Sequence, residues 1–556
     1  MRRLVDDHDS IMVQIKRAVG IAAAVFTMSS ALIGGASVAQ AATASKPKLS
    51  IVAVAPSNGS TRGHTPLTIT GSGFSGVKKV TFGSTDARDF NVVNSTTIEV
   101  WTPEHAAGIA RITVHTAHGE TPRSGASFRF VQVKQPGAWQ AKSTPMLDGK
   151  PWVDHDAQDD ADSSRFVTAC ASASLCYQTG EFAREAGGDF VSILVTHDDA
   201  STSSQQTPTS PAGLDAQLYA ISCATSTWCL GVGSQSPGGT SEALVENLQD
   251  GTATPSAIAP ESGYNQFWLS GVACAAEDEC AAYGGEVSTG SPSSIVSIVA
   301  IDQGGSWQVT HVPFIPSAID CSVPTSCVAV GDKHIATWNG DTWTTSILPK
   351  PSGSTSSWSA NLIACPAIGE CTVTGDANHA SGAGDLHIAV WTWHAGSWSV
   401  QQLPLADQEP NRPGYPLAGL SCPAARQCFA AGDWSEGLLV HEDGSTLTEQ
   451  GAPIPAGFGK KIPATDLLSI SCPSVMSCDA VGTVGVYGLA ETWRGGVWTS
   501  TLVRKRPLAT GVAPLELDSV QCVSAERCLT SGLLYTGFAE EEGWSNVQEV
   551  YAVLPS

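Results

Sequence analysis

The chain has 556 residues, 42% hydrophobic and only 15% charged, with 52 acidic against 29 basic side chains. This composition excludes a disordered chain and leaves room for several domains, or for one large repeat domain plus a small one. A formal charge of −23 argues against nucleic acid or an anionic membrane as partner, because phosphate binding needs clustered Lys and Arg.

The first element in chain order is a targeting segment. Lys16 and Arg17 precede a small-apolar run that ends at Ala39-Gln40-Ala41, which reads as a secretory signal at residues 1–41. A membrane anchor is the competing reading, but the apolar run is short and rich in small residues. Asp6, Asp7 and Asp9 sit where positive charge is expected, and Met12 offers an alternative start. No later stretch is apolar and long enough to span a bilayer as a helix. With no sorting tail after the last residues and no lipid-attachment cysteine in the signal, the expectation is a secreted chain. It would be extracellular, or held on the cell surface non-covalently. Without residues 1–41 the balance is 25 basic against 49 acidic residues, or −24. The one basic run, Arg504-Lys505-Arg506, reads as a solvated loop.

After a linker at 42–47, residues 48–133 alternate short β-rich runs (LTIT, KKVTFG, TIEVWTP, ARITVHT, ASFRFV) with Gly, Pro, Ser and Asn turns. This spacing predicts a small antiparallel sandwich. Pro56, Gly59, the run Thr68-Ile69-Thr70-Gly71-Ser72-Gly73-Phe74, Phe82-Gly83, Pro103, Gly108 and Ala126-x-Phe128 carry a family likeness. On these residues the segment resembles the IPT/TIG immunoglobulin-like domain. The resemblance implies a spacer or adhesive module; some members bind DNA, but this copy has no basic face. The glycines around Ser72 would permit a tight corner while Phe74 fills the space between sheets.

Residues 134–556 repeat one signature eight times: Cys, five residues, Cys, three residues, Gly. The pairs are Cys170/Cys176, Cys223/Cys229, Cys274/Cys280, Cys321/Cys327, Cys365/Cys371, Cys422/Cys428, Cys472/Cys478 and Cys522/Cys528. The glycines are Gly180, Gly233, Gly284, Gly331, Gly375, Gly432, Gly482 and Gly532. First cysteines follow one another at 53, 51, 47, 44, 57, 50 and 50 residues, the drifting period of repeats with loop insertions. In each unit a cysteine hairpin, its loop formed by the five residues between the cysteines, is followed by a second hairpin. The second is clearest where tryptophans flank a glycine-containing turn: Trp338/Trp343, Trp393/Trp398 and Trp493/Trp498. Two hairpins make a four-stranded blade, and eight units predict an all-β, disulfide-clamped propeller of eight blades, with seven as the alternative. An open solenoid would need atypical capping repeats, whereas the terminal pairs keep the full signature. The segment from Gly137 to Pro145 resembles an outermost strand and is expected to close the ring on the last blade.

In an exported chain, sixteen cysteines in evenly spaced pairs predict eight disulfides. Zinc sites and redox sites favour shorter Cys spacings with neighbouring ligands. Each closed loop is worth at most ~2.4 kcal/mol by chain entropy, less where the hairpin is already structured. The glycine after each clamp is expected to answer a packing or positive-φ requirement.

No catalytic motif is present: there is no His-Glu-x-x-His, no Gly-x-Ser-x-Gly elbow and no phosphate-binding loop. The Trp turns resemble sialidase/BNR-like propellers in fold only, since they lack the Ser-x-Asp lead of the Asp-box. A sialidase would also need clustered arginines with an acid and a tyrosine, and the few repeat-region arginines, Arg165, Arg184, Arg412, Arg426, Arg494, Arg504, Arg506 and Arg527, are scattered. His441-Glu442-Asp443-Gly444 and Glu540-Glu541-Glu542 read as surface turns. Asp154, Asp156, Asp159, Asp160 and Asp162 read as a solvated acidic loop, so no cofactor is expected; calcium is the competing reading, since the carboxylates alternate as oxygen donors but lack the glycine and terminal glutamate of an EF-hand loop. The function expected is an extracellular binding or scaffold protein presenting propeller loops to a glycan or protein. The alternative is a secreted glycan-active enzyme, hydrolase or lyase, with its site at the channel mouth.

Overall fold

A computed structural model describes residues 48–554 apart from 62, 64, 118, 122–125, 133–138, 144–166, 184–189, 199–201, 207–215, 237–239, 291–292, 380–385, 405–416, 433–436, 445, 456–457, 459–463, 495, 504–514 and 540–542. The expected signal and the candidate calcium loop at 154–162 lie outside the described residues, as do Arg504-Lys505-Arg506 and Glu540-Glu541-Glu542. The described residues form strands and contain no helix, so no helix there is long and apolar enough to cross a membrane.

The first domain has two sheets. One orders Ser50–Ala55, Pro66–Ser72, Thr97–Trp101 and Asp89–Asn94; the other orders Asn58–Ser60, Ser127–Val131, Gly108–Thr116, Val77–Phe82 and Thr85–Asp86. Pairing is antiparallel except between Asn58–Ser60 and Ser127–Val131, which run parallel, a departure from the wholly antiparallel expectation. Alternating side chains of both sheets meet in one apolar cluster: Ile69, Ile98 and Val100 from the first face Phe82, Ile112, Phe128 and Phe130 from the second. The three phenylalanines pack edge to face at 5.0–5.9 Å. Phe74 is fully buried beside them, and two glycines make its corner. Gly73 has φ of +77°, and a Cβ on Gly71 would stand 2.0 Å from the Ser50 carbonyl.

The repeats fold into successive sheets whose first strands are Thr168–Ser172, Ala216–Cys223, Tyr264–Ala276, Ala318–Val323, Ser354–Ala367, Gly419–Ala424, Thr465–Ser474 and Leu515–Ser524. Sheets three to eight have four antiparallel strands each; sheets one and two are joined into one eight-stranded ladder by a single parallel pair, Val191↔Ala216. Sheet eight takes its fourth strand from the start of the region: Gln140–Ser143 pairs antiparallel with Gly543–Leu554, Gln140 opposite Val553. Trp139, buried just before it, packs with Val503, Leu515 and Leu554.

The core lies between sheets, because each buries the apolar residues of one face against the next. Cys229 and Leu248 of sheet two pack with Tyr177 of sheet one; Phe429 of sheet six packs with Leu489 and Trp498 of sheet seven. The last sheet meets the first through Leu529 and Cys176. Hydrogen bonds repeat this pattern. The Val520 amide of sheet eight donates to Ser469 Oγ of sheet seven, and the Thr168 amide of sheet one donates to Ser519 Oγ of sheet eight, both at 3.1 Å and at the same register from the first cysteine. The first domain touches this assembly where Arg88 Nη2 donates to the Phe458 carbonyl at 2.8 Å.

Candidate functional site

Each first strand has a clamp end and a rim end. At the clamp end eight disulfides are formed: Cys170–Cys176, Cys223–Cys229, Cys274–Cys280, Cys321–Cys327, Cys365–Cys371, Cys422–Cys428, Cys472–Cys478 and Cys522–Cys528. Their Cα–Cα distances are 3.9–4.1 Å. The five intervening residues are not the open loop that the sequence suggests. In sheet one pairing resumes beyond the cysteines, Ser172 opposite Leu175, leaving a two-residue turn. Nor are the clamps surface features. Cys280, Cys327, Cys371 and Cys428 are all buried, and the first three belong to the apolar clusters of the repeat region. The second cysteine stands at the start of the second strand, which in sheets two, four, six and seven is almost wholly buried, so its sulfur is core as well as clamp.

Clamps are also tied from sheet to sheet. The residue before a first cysteine accepts a hydrogen bond from the first-cysteine amide of the next sheet: Ser222 from Cys274, Asp320 from Cys365, Ser421 from Cys472 and Ser471 from Cys522, at 2.6–3.0 Å. Burial raises the Asp320 carboxyl, while the Cys365 and Cys321 amides oppose the shift. Arg494, within the Trp493–Trp498 hairpin, pairs with buried Asp479 at 2.8 Å and donates to the Ala525 carbonyl of sheet eight. Burial nonetheless pushes Asp479 up to about 6, with Arg494 and Thr492 acting the other way.

The rim end is set by the glycine of the signature. In sheets two, three, five, seven and eight the first strand carries a β-bulge at the residue four before its first cysteine, opposite that glycine's neighbourhood. There the strands approach so closely that a Cβ on Gly233, Gly284, Gly331, Gly375, Gly482 or Gly532 would lie 1.7–2.0 Å from a carbonyl oxygen in the first strand or just before it. These glycines are not among the positive-φ residues, so backbone approach is the reason for them.

The bulge brings the residues six and four before the first cysteine together with the residue five after the second. In sheet two Tyr219 Oη donates to Gln217 Oε1 at 2.6 Å and lies 2.9 Å from Ser234 Oγ. In sheet five Ser359 Oγ and Asn361 Nδ2 donate to Asp376 Oδ1 at 2.8 and 3.1 Å. Burial raises the Asp376 carboxyl and these two donors partly offset it. Sheet three is aromatic: the Trp268 ring covers Gly285, and the Tyr283 ring covers Gly271, where any Cβ would collide. Tyr283 Oη donates to the Ser317 carbonyl of sheet four at 2.7 Å. Sheets seven and eight place acids at these positions, Asp466, Glu516 and Asp518, all half-buried. One sector of the rim is thus aromatic and another acidic. Sequence reasoning missed these residues because their types vary; the clue was the fixed glycine that marks the crowded crossing.

Among the described residues two groups bring three metal-type donors together. Asp479 with Cys522 and Cys528 is one, but both sulfurs belong to a disulfide. Glu261, Glu286 and His311 are the other.

Residues 49–130 match the IPT/TIG domain family. No curated protein is significantly similar to the chain. The solved structures it resembles include β-propellers. Sqt1 of Chaetomium thermophilum, bound to the N-terminus of the ribosomal protein L10, is 13% identical over 72% of this chain and 98% of that one, with a TM-score of 0.42. YCF48 bound to D1 peptide is 13% identical over 63% and 96%, with a TM-score of 0.34. The β-propeller domain of the Trilobed protease from Pyrococcus furiosus, described as having an open velcro topology, is 9% identical over 60% and 94%, with a TM-score of 0.37.

Proposed function

Starting from an IPT/TIG domain at residues 49–130, we propose that the chain is an extracellular binding or scaffold protein. In this reading an immunoglobulin-like sandwich (48–133) precedes a closed eight-bladed propeller (134–556), and the rim end of the first strands binds a glycan or protein. Ring closure is supported by the matching Ser469–Val520 and Ser519–Thr168 hydrogen bonds and by the Leu529–Cys176 contact between the last sheet and the first. The strand Gln140–Ser143 then completes the eighth blade.

The observation that carries the function is internal. Eight clamps and their glycines are held constant while the residues the bulge presents change from sheet to sheet, from Tyr219 and Trp268 to Asn361, Asp466 and Asp518. A repeated frame with an unrepeated edge is how a propeller presents a specific surface. The Trp268 ring, spread over a glycine, offers a flat apolar face suited to a sugar ring or an aromatic side chain.

The test is a glycan and extracellular-protein array with the secreted chain, followed by a reducing-sugar release assay on every binder. Binding without release is expected, weakened about tenfold or more by Trp268→Ala at unchanged thermal stability. Sugar release, or binding indifferent to Trp268, would overturn the reading.

A further inference from the structure

We propose that Glu261, Glu286 and His311 of sheet three form a binding site for a single divalent transition-metal ion, Zn²⁺ by its donor set. The three residues come from separate elements that converge. Glu286 lies on the second strand of the sheet, opposite Phe267 of the first. His311 ends the fourth strand, opposite Ile298 of the third. Glu261 precedes the first strand in a turn closed by the Tyr264 amide donating to its carbonyl at 3.0 Å, and Thr289 fixes that turn by donating to the Gly263 carbonyl at 2.8 Å. His311 Nε2 stands 3.1 Å from Glu286 Oε2 and 3.8 Å from Glu261 Oε2. Donors bound tetrahedrally to zinc lie about 3.3 Å apart, given metal–ligand bonds of about 2.0–2.2 Å. The observed separations bracket that value.

The surroundings favour a cation. The Glu286 side chain is fully buried, and its Oε2 faces His311 Nε2. Its other oxygen, Oε1, accepts the Glu261 amide at 3.1 Å, which fixes the orientation of the carboxylate. The Tyr264 ring lies 5.3 Å from the His311 ring and walls one side. Two carboxylates can supply two negative charges, which one divalent ion neutralises. Ca²⁺ and Mg²⁺ prefer oxygen throughout, whereas the imidazole nitrogen suits Zn²⁺. Three protein donors leave a fourth position for solvent or for a ligand oxygen.

Calorimetric titration of the EDTA-stripped, dialysed protein with ZnCl₂, in the presence of a weak chelator, tests the site. CaCl₂ serves as the control, and Co²⁺ absorption reports coordination number. One Zn²⁺ per chain is expected, unaffected by excess Ca²⁺. Affinity should fall about tenfold or more in Glu261→Gln, whose exposed side chain is not needed for folding, and further in His311→Ala. Absence of Zn²⁺ binding by the wild-type chain would overturn the proposal. So would binding unchanged in both variants, which would place the metal on other histidines.

Discussion

Along one first strand the clamp end and the rim end obey different rules. At the clamp end the sheets are nearly interchangeable. The disulfide recurs in all, the two-residue turn beyond it recurs in every sheet but the second, and hydrogen bonds to the next cysteine amide pass from sheet to sheet. A few residues away, at the bulge, the sheets carry Tyr219, Ser270, Asn361, Leu468 and Asp518 with no common chemistry. Covalent and backbone restraints therefore hold the frame, which frees the rim from contributing to it. The glycine of the signature is the boundary between the two, since it is where strand meets strand too closely for any side chain.

The sharpest way to break this comparison is at that boundary. A Cβ at position 482 would stand 1.9 Å from the Asp466 carbonyl oxygen and 2.9 Å from Leu467 Cα, atoms that cannot swing aside as a flexible side chain does. Gly482→Ala should cost about 3–5 kcal/mol, the range of severe core disruption. Gly396 gives the contrast: it sits at φ +80° in the Trp393–Trp398 turn with open space around it, and Gly396→Ala should cost only about 1 kcal/mol through backbone strain. Urea denaturation of both variants measures the difference. Equal losses would mean that the crossing is no boundary.

Acidity offers the second test, because the acids of the frame are buried where those of the rim are half-exposed. Glu246, on the third strand of sheet two, has both carboxylate oxygens without a hydrogen-bond partner among the described residues, and burial pushes its pKa up to about 8. The folded state therefore holds a proton that the unfolded chain, near 4.5, releases. Stability from this group is complete below about pH 4.5 and is lost as pH rises through 8. His197 works in the opposite sense. Burial holds it near 4, so stability falls as pH drops below about 6.5, where the unfolded chain takes up a proton. Glu449, raised to about 7, adds to the alkaline loss. Stability should thus peak on the acid side of neutrality and decline by a few kcal/mol at most towards pH 8. Glu246→Gln should flatten that decline in denaturation curves taken from pH 5 to 9. An unaltered slope would assign the pH dependence to other groups.

How much of this was legible follows from sequence distance. The clamp hairpins and Trp turns are local: a cysteine six positions from its partner and a tryptophan five from its pair advertise themselves, and Trp338/Trp343 and Trp493/Trp498 indeed face each other across their hairpins. The pairing of Gln140–Ser143 with the last sheet was legible too, because Trp139-Gln140 repeats Trp307-Gln308, which opens the fourth strand of sheet three. What escaped is assembled over distance. The burial of Cys280, Cys327 and Cys371 among apolar side chains depends on residues of other strands and sheets, which the spacing of a hairpin does not reveal. Glu261, Glu286 and His311 meet only because three elements of sheet three end at one edge. Arg494 looks like a turn residue until Asp479 and the next sheet's Ala525 carbonyl are beside it. The rim escaped for another reason: a bulge leaves no periodic trace when the residue it re-aims is different in every repeat.

The smallest effect expected comes from the most conspicuous residues. Opening one clamp, as in Cys472→Ser with Cys478→Ser, removes a closed loop whose entropic worth is at most ~2.4 kcal/mol. The hairpin is already restrained by its turn, with Ser474 opposite Ser477, and by the bond from the Cys472 amide to Ser421 Oγ. The unfolded hairpin loses less freedom than the ceiling assumes, and both sulfurs leave a buried site that the smaller hydroxyls fill less well. A net loss of about 1–2 kcal/mol is expected, with the rim of sheet seven undisturbed. Calorimetric melting measures the loss, and ligand or Zn²⁺ binding by the same variant measures the rim. Reduction of all eight clamps should sum to much less than eight such losses, because neighbouring clamps share hydrogen bonds and are not independent. A single-clamp variant that kept its melting temperature but lost binding would reverse the assignment, making the clamp part of the surface and not of the frame.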